Sequence, residues 1–318
     1  MLAIAGLASA AHAETRPRYG GTVEASLLGA PASLDPVAAQ SHAELTVADL
    51  VFDTLYRVGP SGVIVPHLAA AVPELDASRT RLTIPLRKGV RFHDGTPLTA
   101  ADVAASLARV RAGAARWTLA PVATITAAPS GEAIELVLRA PIGEPAALLA
   151  LPQTAITKSG KPPTAERAIG SGPFQLEGFD RAQRRLRLRA FDDHFAGRPY
   201  LEQLVLGWYA SPDGEARRFE TGGSQLSARG VGAFAGSQPK FRADHVEGPA
   251  ALLVFAGFGR AHPEVTGDRG FRRALDLAIA RDALKTVTSG ERVAPAHAPV
   301  PVEAGGSAPA AAARTGDL

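Results

Sequence analysis

The chain has 318 residues, 46% of them hydrophobic, with 34 Lys and Arg against 31 Asp and Glu and no cysteine. That length and apolar content suffice for a large core and two domains. A net charge of +3 with scattered cations argues against a nucleic-acid-binding protein, and the lack of cysteine excludes a disulfide scaffold.

Leu2 through Ala11 are apolar or small, and Ala11-His12-Ala13 is an A-x-A cleavage site before Glu14. Residues 1–13 therefore read as a shortened secretory signal without a Lys or Arg n-region. The stretch is too short to span a bilayer. Val23, Ala25 and Leu27 alternate after Gly20-Gly21 and predict a first strand. Val47, Leu50, Val51 and Leu55 fall at helical spacing and predict an amphipathic helix over 44–56.

Leu82, Ile84 and Leu86 alternate as a half-buried strand. Asp94-Gly95 is a turn signal, because glycine takes positive φ without a Cβ clash. Thr99 with Asp102 three residues on predicts a capping box, and Val103, Leu107 and Val110 continue as one helix face. The run from Phe92 to Val103 holds a histidine, two aspartates and two threonines. It reads as strand, turn and capped helix rather than as a metal or acid/base site.

Ile134, Leu136 and Leu138 form another alternating strand between the breakers Gly131 and Pro141. Leu186 and Leu188, Leu204 and Leu206, and Leu252 and Val254 mark later strands. Arg185, Arg187 and Arg189, beside Arg181 and Arg184, read as the solvated face of a strand. Phe271, Leu275 and Ile279, with Ala274 and Ala278, predict a helix face. Residues 292–318 carry Pro, Ala and Gly with no hydrophobic period and read as a linker-like tail. Strands and helices mix irregularly, so the fold class is α/β, or mixed α+β.

Enzymatic chemistry finds no support. The histidines lack H-x-x-x-H or H-x-H spacing, so no metal site is expected. Asp192, Asp193 and His194 are consecutive, cannot all face one ion, and read as a solvated turn. Gly170-Ser171-Gly172 lacks the G-x-S-x-G frame of a nucleophile elbow and reads as a tight turn fixed by Pro173. No cofactor-binding loop is present, and no cofactor is expected.

Several motifs recur in a fixed order between residue 19 and about residue 290. Ser33-Leu34-Asp35-Pro36 follows the first strand. Phe52-Asp53-Thr54-Leu55 and Pro66-His67-Leu68-Ala69 come next. Arg87-Lys88-Gly89-Val90-Arg91-Phe92-His93-Asp94-Gly95 leads into Leu98-Thr99-Ala100-Ala101-Asp102-Val103. Then follow Gly170-Ser171-Gly172-Pro173-Phe174, Gly197-Arg198-Pro199-Tyr200-Leu201, and Phe271-Arg272-Arg273-Ala274-Leu275 with Arg281-Asp282-Ala283-Leu284. Together they resemble the extracellular solute-binding proteins, family 5, of dipeptide, oligopeptide and nickel ABC importers.

The resemblance implies a periplasmic-binding-protein-like, two-lobe architecture with an extra N-terminal subdomain. Residues 14–44 and 160–250 would form the first lobe, and 45–159 a subdomain inserted in it. Residues 251–291 would begin the second lobe. Family members continue well beyond the 271–284 helix, so most of the second lobe is expected to be absent. Its exposed apolar faces, Leu252, Val254, Phe255 and Phe271, would favour self-association or marginal stability.

The resemblance also implies function. The chain would be a periplasmic solute-binding component that captures a peptide or similar small polar solute and delivers it to an ABC-importer permease. Without a cysteine for lipidation it would diffuse freely. In peptide-binding relatives the segment after the Ser-Leu-Asp-Pro element helps contact ligand, which here is Gln40, Ser41 and His42. The same three residues also read as a helix N-terminus with Ser41 as cap. Trp117, Trp208 and Tyr209 are further ligand-binding candidates, with core packing as their alternative. A second reading is a repurposed, non-transporting periplasmic interaction module.

Overall fold

The computed structural model describes residues 18–59, 62–228, 259 and 261–279. The expected signal at 1–13, the strand at Leu252 and Val254, Phe255, the Arg281–Leu284 element and the tail at 292–318 lie outside the described residues.

In chain order, β1 (Thr22–Leu28) leads to helix α1 (His42–Val51), then the short pair β2 (Tyr56–Val58) and β3 (Ile64–Pro66). Next come β4 (Glu74–Leu75), β5 (Arg81–Pro85), helix α2 (Ala100–Ala112), β6 (Val122–Ala127) and β7 (Ala133–Leu138). They are followed by β8 (Phe174–Asp180), β9 (Arg185–Ala190), β10 (Gln203–Tyr209), α3 (Pro212–Glu220) and β11 (Leu226–Ala228). The helices α4 (Pro263–Thr266) and α5 (Arg269–Ala278) close the described chain.

Two larger sheets and the separate antiparallel pair β2–β3 organise these strands. The first runs β11-β1-β10-β9-β8, with β1 parallel to both β10 and β11 and the remaining pairs antiparallel. The second runs β4-β5-β7-β6 and is antiparallel throughout. Strand alternation places the cores as the sequence predicts: Leu82 and Ile84 face Leu136 and Ile134 across the β5–β7 register and are buried with them. Leu186 and Leu188 are buried in β9, while Arg187 and Arg189 face solvent.

Helix α2 starts where the capping box predicts. The Thr99 amide donates to Asp102 Oδ2 at 2.9 Å, and the Asp102 amide to Thr99 Oγ1 at 3.3 Å. Its Val103, Leu107 and Val110 face is fully buried against the second sheet. Gly95 takes φ 79 in the preceding turn, while Asp94 Oδ1 accepts from the Thr96 amide.

One expectation needs correction. The helix expected over 44–56 stops at Val51, with Phe52 extended at its C-cap. The next backbone groups are taken by other segments: the Asp53 carbonyl accepts from Ile156 N at 2.8 Å, and the Leu55 carbonyl from His67 N at 3.0 Å. Helix α1 buries Ala43, Val47 and Val51 in the core of the first sheet. That core joins β1, β8, β9 and β10, and the second core gathers α2 and the sheet from β4 to β6.

Candidate functional site

The C-terminal end of the parallel strands and the segments leaving it form one region. Leu28 pairs with Tyr209, and Gly29 donates its amide to the Tyr209 carbonyl at 2.8 Å. The chain then runs through 29–41 into α1. In open α/β sheets, ligands bind outside the carboxyl ends of parallel strands where the connections diverge.

Glu44 shapes the 33–41 segment. It is buried on the first turn of α1, and its carboxylate accepts from Ser33 N at 3.2 Å and from Gln40 N and Ser41 N, both at 2.9 Å. The Ser41 hydroxyl in turn accepts from Glu44 N at 3.2 Å, completing a capping box. Burial pushes the Glu44 carboxyl up, but these hydrogen bonds outweigh it and hold it below its usual range. A few residues away, Arg109 Nη1 reaches both oxygens of Asp35 at 2.9 and 2.8 Å, docking the last turns of α2 on this segment.

The candidate ligand residues separate on this frame. Gln40 and His42 are exposed, and Ser41 is spent as the α1 cap. Trp117 stands 61% exposed on the turn Arg116–Leu119 just past α2. Trp208 is 7% exposed and packs on Phe179 with ring centroids 5.6 Å apart, so it serves the core of the first sheet. Of that pair only Tyr209 reaches the surface, half-buried at the end of β10.

A buried polar hub lies at Asp53, 3% exposed, just past the C-terminal end of α1. Its Oδ1 meets His67 Nε2 at 2.8 Å, and its Oδ2 accepts from Ser171 Oγ at 2.8 Å. His194 Nε2 lies 3.8 Å from Oδ1. Burial would raise the Asp53 carboxyl, but the imidazoles of His194 and His67 outweigh it and hold the group below the usual carboxylate range. The expected turn at 192–194 is half right. Asp192 and Asp193 are solvated, whereas His194 points inward with its side chain 6% exposed. Among the described residues, no group of three or more His, Cys, Asp or Glu is placed to hold a metal ion.

The Gly-Ser-Gly segment belongs to the same hub, for a reason other than a tight turn. A Cβ on Gly170 would fall onto the Val51 carbonyl oxygen, and one on Gly172 would come within 2.6 Å of the Val51 carbonyl carbon. Gly172 instead donates its amide to that oxygen at 3.0 Å. His93 locks the other side. Its amide donates to the Gly170 carbonyl at 2.8 Å, its Nδ1 accepts from Gly170 N, and its Nε2 reaches the Gly172 carbonyl at 3.0 Å. A carbonyl can only accept, so these partners assign the proton of the neutral ring to Nε2. Burial pushes the His93 imidazole down. Ser171 is fully buried, with its hydroxyl donated to Asp53.

Sequence reasoning singled out neither Glu44 nor Asp53 as a functional group. Ser41-His42-Ala43-Glu44 carried the capping-box signature and was the available signal. Asp53 and His67 stand in two of the recurring motifs, but nothing local pairs them with each other or with His194, because that pairing is set by the fold.

The mixed sheet with parallel β1, β10 and β11, its carboxyl-end rim and the attached subdomain define the fold of the two-lobe periplasmic binding proteins. In agreement, the structure superposes with TM-score 0.59 on the binding protein AgaA from A. tumefaciens R10, solved with agropinic acid. The two are 30% identical, and the match covers 64% of this chain and 43% of AgaA. It superposes equally, with TM-score 0.59 and 23% identity, on AppA from Bacillus subtilis, solved with a nonapeptide, over 66% of this chain and 44% of AppA. Residues 63–317 match the model of the bacterial extracellular solute-binding proteins, family 5, and the chain belongs to that family. It is 30% identical to Protein XP55 of Streptomyces lividans over 266 residues, 80% of this chain and 48% of that protein. It is 25% identical to the oligopeptide-binding protein AppA over 299 residues, 87% of this chain and 53% of AppA. The chain thus spans about half the length of these curated relatives. Among the described residues no helix is long and apolar enough to cross a membrane.

Proposed function

We propose that the chain is a periplasmic solute receptor. It captures a peptide or similar small polar solute at the rim formed by Gln40, Ser41, His42, Trp117 and Tyr209, and hands it to an ABC-importer permease. The observation that carries this reading is the Glu44 carboxylate, which fixes the backbone of Ser33, Gln40 and Ser41 at the carboxyl edge of the parallel strands. A preformed segment loses little freedom on binding, so its exposed side chains present to a ligand at low entropic cost. Names among the relatives bracket the cargo: oligopeptide-binding AppA, the glutathione-binding protein GsiB of Pectobacterium atrosepticum and the nickel-binding protein NikA of Staphylococcus aureus. A peptide is the reading we favour. Residues 14–51 and 160–250 would form the first lobe and the intervening stretch its subdomain, with α1 moved into the lobe.

Native mass spectrometry of the chain purified gently from periplasm tests the proposal. A co-purifying adduct of peptide mass supports it. A ligand-free chain that binds no peptide, metal chelate or other small solute at micromolar levels overturns it.

One observation favours the second reading, a repurposed interaction module. Helix α5 exposes Phe271 and Leu275, one turn apart, at 41% and 37%. Concentration-dependent self-association in sedimentation, abolished by Leu275→Glu, together with an absence of bound solute, would shift the assignment to that module.

A further inference from the structure

A cavity of about 290 Å³ opens on the second sheet, far along the chain from the rim residues 40–42. Its walls are the turn after β5 and the turn between β6 and β7, and Ala100 at the start of α2 borders it. Arg87, Lys88 and Arg91 line it, with Glu132 as the one carboxylate, so the lining residues carry a net charge of +2. Val90 and Leu98 contribute an apolar floor. A volume near the lower end of the ordinary ligand range, roughly 300–1,000 Å³, suits a compact molecule.

The cations are held but not consumed. Arg87 gives Nε to the His67 carbonyl at 2.9 Å and lies over the Phe195 ring at 5.3 Å. Arg91 gives one Nη to the Gly95 carbonyl at 2.7 Å. Both bonds go to neutral carbonyls, so neither guanidinium charge is matched by them. The nearby acids are engaged elsewhere. Asp94 pairs with Lys158, and Asp102 caps α2 and accepts from Ser159 N at 2.8 Å. Among the described residues only Glu132 answers the cluster, through Lys88 at 2.7 Å, in a pair whose side chains are 80% and 62% exposed. Exposed pairs of this kind contribute little net stability and open readily. Glu132 therefore stands where an external anion would compete for Lys88.

We infer that the Arg87–Lys88–Arg91 cavity is a second binding site, taking a small solute that carries a phosphate or carboxylate on a short apolar body, with Glu132 as its internal competitor. Guanidinium groups bind oxyanions through paired N–H donors, and the apolar floor would favour a ligand with a hydrocarbon end over a bare ion. The site does not depend on the solute rim, so it stands or falls separately from the receptor function.

Amide NMR of the full chain tests it, with n-butyl phosphate and inorganic phosphate as probes against chloride at matched ionic strength. Saturable shifts at Gly89 and Gly131, stronger with butyl phosphate, are expected. Arg91→Gln with Lys88→Gln should weaken binding about tenfold. Glu132→Gln, whose side chain holds no backbone group, should tighten it about threefold. Linear, non-saturating shifts overturn the inference, as does an unchanged affinity in the double variant. Looser binding in Glu132→Gln overturns the competitor role. Binding to anionic phospholipid vesicles without binding to free butyl phosphate also overturns it, since the anion would then be a headgroup.

Discussion

Asp53 and Ser171 are 118 residues apart in sequence and joined by a buried hydrogen bond of 2.8 Å. The bond ties the end of α1, which packs on the first sheet, to the loop entering β8. His67 brings the strand pair β2–β3 to the same carboxylate, and His194 brings the segment after β9. Motifs that mark the family in sequence thus meet at one internal group. Its burial makes it an internal tie between these segments.

Removing that group should be costly. Asp53→Ala leaves the Ser171 hydroxyl and the His67 ring without their shared acceptor in a buried site. Unsatisfied buried donors cost about 1–3 kcal/mol each, so we expect a loss of about 3 kcal/mol in urea unfolding. His67→Ala, which keeps the Ser171 bond, should cost less. An Asp53→Ala loss under about 1 kcal/mol would contradict the hub.

The two glycines make a sharper case. Gly170→Ala puts a methyl group onto the Val51 carbonyl oxygen, part of the backbone, and no side chain can swing away to relieve it. The variant should lose about 3 kcal/mol or more, or fail to fold. Gly143→Ala is the control: no atom lies within 4 Å of its added Cβ and its φ is not positive, so it should change stability by less than about 0.5 kcal/mol. Equal unfolding midpoints for the two variants would remove the close-approach explanation.

These two positions mark where legibility ends. The alternation at Leu82 and Ile84, at Ile134, Leu136 and Leu138, and at Leu186 and Leu188 gave the strands directly, because one-sided burial imposes period two. The α2 cap was readable because its partners are three residues apart. Gly170 could be read as a turn but not as an approach to Val51, since the reason lies on a helix more than a hundred residues earlier. His194 was misread because neighbouring aspartates suggested a wet turn, while its own side chain alternates inward. Trp208 and Trp117 look equivalent in sequence; only packing buries one on Phe179 and leaves the other in solvent.

The His93 ring gives a pH dependence with a definite sign. Burial lowers its folded-state affinity for a proton below that of the unfolded chain. As pH falls through about 6.5, the unfolded state takes up the proton first, so stability drops until the folded ring titrates too. Asp53 acts in a lower window: its carboxyl is depressed, so its contribution persists above the usual carboxylate range and is lost only in stronger acid. Unfolding free energies measured between pH 8 and 5 for the native chain and for His93→Gln isolate the first effect. The native chain should lose more stability over that range than the variant; parallel curves would eliminate His93 as the source.

The rim separates stability from binding, residue by residue. Ser41→Ala removes the α1 cap and should cost about 1 kcal/mol of stability. Glu44→Ala strips an acceptor from three backbone amides at once and should cost more, about 2–3 kcal/mol. Gln40→Ala and His42→Ala touch exposed side chains and should leave unfolding within about 0.5 kcal/mol of the native chain. If the rim holds solute, those two variants lower the affinity for whatever ligand co-purifies, while Ser41→Ala lowers stability more than affinity. Calorimetric titration alongside urea unfolding reads both quantities on one preparation. Affinity losses confined to the destabilised variants would mean that ligand sits elsewhere and that the 40–42 segment is only the start of a helix.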